Sequence, residues 1–156
     1  MAWGNLVVNR SLGRVTQFAE NVNGNDPANS ALILIPWSST ATGAVIKDLD
    51  TVADIEANVN TAERAAGGWN RKTLTDASGI TITYDDTNDR VDVDCPDQTW
   101  TAVAAGNDST DVSFNYDPDT TAGTDANIIP CTLHTFAITT DGSDITALIA
   151  NFYRAA

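Results

Sequence analysis

The chain is short of the side chains most enzymes rely on. Its 156 residues include one histidine, His134, two cysteines, Cys95 and Cys131, and only eight Lys/Arg. A Ser-His-Asp relay would have to run through His134, yet no G-x-S-x-G surrounds any serine and Ser143 falls in a turn. On a strand His134 and Cys131, three residues apart, point to opposite faces, which argues against a Cys-His pair. There is no CxxC spacing for zinc, and Walker and Rossmann fingerprints are missing. One disulfide is arithmetically possible; two small buried thiols are the expected arrangement. The longest uninterrupted apolar run, Ala31 to Ile35, is far below the roughly 20 residues of a membrane-crossing helix. Leu6-Val7-Val8 is too short for the core of a signal peptide, so no leader is expected. These absences argue against an enzyme and leave no cofactor-binding or metal-ligating set.

What is present is acid. The formal net charge is −13 and the pI is about 4.1, which repels nucleic-acid phosphates and anionic membranes. The charge is unevenly placed. Residues 76–156 carry 14 Asp and no Glu against Arg90 and Arg154, a net −12, whereas residues 1–75 net −1. The first nineteen residues hold Arg10 and Arg14 and no acid. Residues 1–25 read as an N-terminal arm: Trp3, Leu6 and Val8 alternate, and Ser11 is placed to cap a helix with Leu12, Val15, Phe18 and Val22 at helical spacing. Residues 26–156 read as a single compact domain.

Within that domain Ala31–Ile35 has the length of a strand buried on both faces. Asp48 to Val59 predicts a helix capped by Asp48 or Asp50, with Val52, Ile55 and Val59 on one face. After Gly67-Gly68 the period becomes two. Ile80, Ile82 and Tyr84 alternate with threonines, Val91, Val93 and Cys95 with aspartates, and the turn Asp85–Asp89 joins them as a hairpin. Further strands are expected around Trp100, Phe114–Tyr116, Phe136–Ile138 and Ile145–Phe152, with Asp141–Asp144 as the last hairpin turn. This last part predicts a half-buried meander with an acidic, hydroxyl-rich outer face. The fold class is mainly β (α+β): an antiparallel sandwich or barrel of about six to eight short strands with one or two short helices.

Two acidic turns invite a calcium test, because that ion wants several oxygens. Asp117, Asp119, Thr121 and Asp125 have a loosely EF-hand-like spacing, but Ala122 stands where the sharp turn needs Gly and Ile128 where the bidentate Glu belongs. Asp85, Asp86, Asn88 and Asp89 form another oxygen-rich turn, and both read as solvated turns. Trp69, Trp100, Tyr84 and Tyr116 could stack on sugars if exposed, but each lies on the apolar side of its strand and is expected in the core.

The stretch from Arg71-Lys72-Thr73-Leu74-Thr75-Asp76 through Asp86–Asp94, Pro96–Trp100, Tyr116–Thr121 and Asp141–Ile145 resembles small head-associated virion proteins of tailed bacteriophages. Asp26–Leu32 and the helix opening at Asp48 fit the same pattern, so the resemblance spans roughly residues 26–155. It implies a non-enzymatic capsid decoration protein on the outer capsid surface of the virion, present in host cytoplasm before assembly. The implied partners are the major capsid protein and copies of the chain itself, a trimer being the first expectation, with no nucleic acid and no membrane. A head-tail connector or tail component is the alternative within the same particle, and a carbohydrate- or calcium-binding β module the alternative outside it. In the decoration reading the arm makes the capsid contact, with Trp3 and Phe18 as anchors and Arg10 and Arg14 as charge contacts. Removing residues 2–20 is then expected to leave the β body folded.

Overall fold

The apolar run beginning at Ala31 becomes an interior strand of the main sheet. The computed structural model describes residues 2–156. Its strands are β1 (Leu6–Val7), β2 (Ala31–Ser39), β3 (Thr61–Glu63), β4 (Lys72–Leu74), β5 (Thr81–Asp85), β6 (Arg90–Asp94), β7 (Gln98–Trp100), β8 (Ser109–Asp117), β9 (Ile129–Ile138), β10 (Ile145–Ala147) and β11 (Tyr153–Ala155). The helices are α1 (Val15–Gly24), α2 (Gly43–Ile46) and α3 (Val52–Ala57). The main sheet runs β1-β9-β8-β2-β3, with β4 also on the β3 side of β2. Two smaller sheets, β11-β6-β5 and β10-β7, complete a sandwich-like α+β fold, and every pairing is antiparallel. No sheet closes into a barrel. There are eleven strands where six to eight were expected, because β1, β3, β4, β7, β10 and β11 are only two or three residues long.

The main sheet is covered on both faces, which explains the uninterrupted hydrophobicity of β2. Leu32 and Leu34 face a core built with Val15, Phe18, Ala19 and Val22 of α1, Val93, Trp100, Phe114 and Phe152. Ala31, Ile33, Ile35 and Trp37 face a second core with Trp3, Ile46 of α2, Val52 and Ile55 of α3, and Leu133. The first core is rich in ring contacts: Phe18 stacks on Tyr116 at 4.4 Å, Phe114 on Phe152 at 4.1 Å, and Trp69 meets Trp100 edge-on at 4.9 Å.

The N-terminal residues are part of this body, and the expected arm at 1–25 is corrected for the described residues 2–25. β1 pairs with β9 through Leu6↔Leu133 and Val7↔Thr132. Trp3 is 2% exposed, its ring centroid lies 5.9 Å from that of Trp37, and its indole N–H donates to Ser39 Oγ at 2.9 Å. Its backbone N–H donates to the buried Asp111 carboxylate at 2.6 Å. Phe18 and its helical neighbours at i−3, i+1 and i+4 fill the opposite core. Helix α1 starts at Val15 rather than at Ser11, because Gly13 takes a φ of +72° that an α-helix cannot contain.

Other expectations shift for local reasons. Helix α3 is capped by Thr51, whose Oγ1 accepts from Asp54 N–H while the Asp54 carboxylate accepts from Thr51 N–H. Asp48 and Asp50 lie outside it. The helix stops at Ala57, so Val59 falls beyond the end and is 95% exposed. The β5–β6 hairpin forms as expected. Asp141–Asp144 is no hairpin turn: β10 leaves β9 and pairs with β7.

The largest change concerns β8. Its alternating polar residues Asp111, Ser113, Asn115 and Asp117 do not form a solvent face; all four are buried. The layer containing Trp3, Trp37, α2 and α3 covers that side. Ser113 Oγ accepts the Trp37 indole N–H at 2.8 Å, and Asn115 Nδ2 donates to Ile33 O at 2.9 Å and to Ser113 Oγ at 2.9 Å. Such partners offset most of the burial cost, although Asp111 Oδ2 and Asn115 Oδ1 find none among the described residues.

Candidate functional site

The turn between the 3-10 segment Asn9–Ser11 and α1 presents the chain's most distinctive surface. Leu12 is 60% exposed and stands between Arg10 and Arg14, both exposed. The residue beneath it is fixed: Ser11 is fully buried and its hydroxyl donates to Pro130 O at 2.6 Å. Asn9 N–H donates to Lys47 O at 2.8 Å and its side chain to Asp48 Oδ1 at 2.6 Å. Arg10 Nη1 donates to Asp50 O at 3.1 Å. The Arg14 guanidinium lies 4.7 Å from the Phe18 ring centroid. Thus an apolar side chain sits on a rigid turn between two cations.

Neither cation forms an ion pair with a carboxylate among the described residues. By contrast Arg71, Arg90 and Arg154 are all paired with acids. Of the four residues expected to make partner contacts, the structure brings Arg10 and Arg14 to one surface and buries Trp3 and Phe18 in separate cores. Phe18 acts beneath Arg14, and Trp3 fastens the start of β1. Helical spacing puts Leu12 on the helix face; the signal that it leaves that face is Gly13, which breaks the helical register just after it.

A second surface feature is a cleft of about 440 Å³ between the β1–β9 edge and the C-terminal segment. Leu6, Phe114, His134, Phe136, Ile149 and Phe152 are among its walls. The His134 ring nitrogen Nε2 lies 2.9 Å from Thr132 Oγ1, and the ring meets Phe114 edge-on at 5.8 Å. Burial pushes its pKa down to about 4, so the imidazole is neutral near pH 7. A bulge at Cys131 breaks the expected alternation along β9 and turns the Cys131 side chain into the core whose Phe114 the His134 ring meets. The two still do not pair, since Cys131 Sγ contacts Ile129 O at 3.5 Å. Both cysteines are free and buried, and burial raises each thiol pKa to about 12, leaving no thiolate near neutrality.

The acidic turns are occupied by their own chain. Asp117 Oδ1 accepts from Asp119 N–H, Asp119 Oδ1 accepts from Thr121 N–H and Oγ1–H, and Asp125 turns to Arg71. Asp85 accepts from Asn88 Nδ2 at 2.7 Å, the main reason its carboxyl titrates below the ordinary range. Among the described residues no three or more acidic, histidine or cysteine side chains gather as a metal site. Trp69, Trp100 and Tyr116 are buried as expected, whereas Tyr84 is exposed and donates to Glu20. No described helix is long and apolar enough to cross a membrane. Comparison with protein-family models, curated proteins and solved structures gave no match.

Proposed function

We propose that the chain is a non-enzymatic virion structural protein that decorates the outer face of a bacteriophage head, docking on the major capsid protein through the Arg10–Leu12–Arg14 turn. The observation that carries this reading is the pairing of an exposed leucine with two carboxylate-free arginines on a turn held by buried Ser11, in a chain whose net charge is −13. A partner surface with an apolar recess and acidic rim would meet both chemistries, and an apolar anchor surrounded by charge is the usual layout of a contact hot spot. The Asp-rich remainder would face solvent and keep decorated heads from associating. Binding only to the assembled lattice would stabilise the head by mass action. Trp3 and Phe18 contribute by holding the turn in place.

The experiment is co-sedimentation with purified heads. Leu12→Asp and the double change Arg10→Glu with Arg14→Glu should each weaken binding at least about tenfold, the loss of one modest hot spot. Because all three side chains are exposed, the thermal midpoint should stay close to that of the unaltered chain. Binding should also fall as salt rises. Unchanged head binding by both variants would reject docking through this turn.

A further inference from the structure

Arg71 holds three carboxylates from three other parts of the chain. Its Nε and Nη2 donate to Glu63 of β3 at 2.8 and 2.5 Å, Nη2 also to Glu56 of α3 at 2.9 Å, and Nη1 to Asp125 at 2.5 Å. Asp125 lies in the loop 118–128 that links β8 to β9. That loop also closes the start of α3 through its backbone: Val52 N–H donates to Ile128 O at 3.0 Å and Ala53 N–H to Asp125 O at 3.1 Å. One guanidinium therefore fastens α3, β3 and the loop together, and its side-chain contacts lie beside the backbone bonds that join loop and helix.

The charges do not balance. With every carboxylate ionised the cluster carries three negative charges against one positive, and like charges this close favour retention of a proton. Glu56 is the carboxylate least held in its ionised form, with one Arg71 contact at 2.9 Å against two for Glu63 and one at 2.5 Å for Asp125. Glu63, Asp125 and Arg71 are the charged groups facing it, and Asp54 on its own helix is engaged in the capping box with Thr51. Its pKa is pushed up to about 7, first by partial desolvation within the cluster and then by its contact with Glu63 and the charge of Asp125, against the lowering effect of Arg71.

We propose that the Arg71 cluster is a proton-operated clasp: with a proton shared at Glu56 it holds the loop 118–128 on α3, and loss of that proton loosens the loop. The step is a plain acid dissociation, the Glu56 carboxyl giving its proton to water. The sign follows from linkage. An acid whose folded-state pKa lies above its unfolded value contributes stability that is full below the unfolded value near 4.5 and is lost as pH rises toward about 7. The clasp is thus closed in mild acid and loosened above neutrality. This device stands independently of the docking turn.

Amide hydrogen exchange on the full chain tests it, with rates corrected for the intrinsic pH dependence. Protection at the Val52 and Ala53 amides should fall about fivefold between pH 5 and 8, the scale of a partly exposed ion-pair contact. Glu56→Gln copies the protonated form and should hold the pH 5 protection at pH 8. Protection that is flat with pH in the unaltered chain, or that declines equally in Glu56→Gln, overturns the clasp. A second readout needs no variant: the Glu56 side-chain carboxyl carbon, followed by NMR, should titrate near 7. A midpoint near 4.5 overturns the proposal.

Discussion

Replacing Trp3 by Ala should destabilise the whole molecule, although Trp3 is only the third residue of the sequence. The indole is 2% exposed, packs against Trp37 and donates its N–H to Ser39 Oγ at 2.9 Å. Truncating a buried Trp to Ala costs about 3–5 kcal/mol from lost transfer energy and the cavity left behind. Ser39 Oγ would not be stranded, because it also accepts from Ala41 N–H at 3.0 Å and donates to Asn60 O at 3.3 Å. The estimate therefore needs no extra penalty for an unpaired hydroxyl. For a domain of this size each kcal/mol moves the thermal midpoint by roughly 2–4 °C, so the expected fall is about 6–20 °C. Far-UV circular dichroism is the suitable readout, since the substitution removes one of the four tryptophans. Leu12→Ala is the control, because an exposed truncation should change stability by no more than about 0.5 kcal/mol. By the same reasoning a chain lacking residues 2–20 should fail to fold, having lost β1, Trp3 and more than half of the ten-residue α1. A Trp3→Ala midpoint within a degree or two of the unaltered chain would refute the integration of the N-terminal segment and restore it as an arm.

Two further outcomes follow from buried titratable groups. His134 has a folded-state pKa depressed from 6.5 to about 4 by burial, so the stability tied to its neutral form is full above 6.5 and is lost as pH falls toward 4. Urea unfolding at pH 7 and pH 4 should show His134→Gln losing less than the unaltered chain, by at most about 3 kcal/mol; equal losses would place the imidazole in water. Asp111 is fully buried, its Oδ2 has no hydrogen-bond partner among the described residues, and burial raises its pKa. Asp111→Asn keeps an acceptor for Trp3 N–H and removes the buried charge, so at pH 7 it should be neutral or stabilising by about 1 kcal/mol, with the advantage shrinking in acid; a loss above about 2 kcal/mol at pH 7 would show that the carboxylate is needed.

The legible parts of the fold were those where one local signal decides. The apolar run 31–35, unbroken by polar residues, fits a strand buried on both faces better than a helix, and the Ile80–Cys95 alternation around an Asp/Asn turn reads as a hairpin. The alternation in β8 was equally clear but misread. A period of two says that the faces of a strand differ; it does not say that the polar face is wet. Ser113 and Asn115 are buried because the Trp37 indole and the Ile33 carbonyl, both distant in sequence, supply partners. The same long-range dependence hid the burial of Trp3, whose partners Ser39 and Asp111 lie 36 and 108 residues away. Arg10 and Arg14 were visible as candidates from charge distribution alone. Leu12 was not, because helical spacing placed it with Val15 and Phe18 until Gly13 broke the register.

The most direct test of the decoration reading is an image, by electron cryomicroscopy, of the phage particle that this reading proposes the chain to decorate. The account predicts hundreds of copies on the outer face of the head, each with Arg10, Leu12 and Arg14 against the major capsid protein and the Asp-rich surface toward solvent. A single ring of about a dozen copies at the neck or tail, a head lacking the chain, or copies docked with that turn in solvent would contradict it.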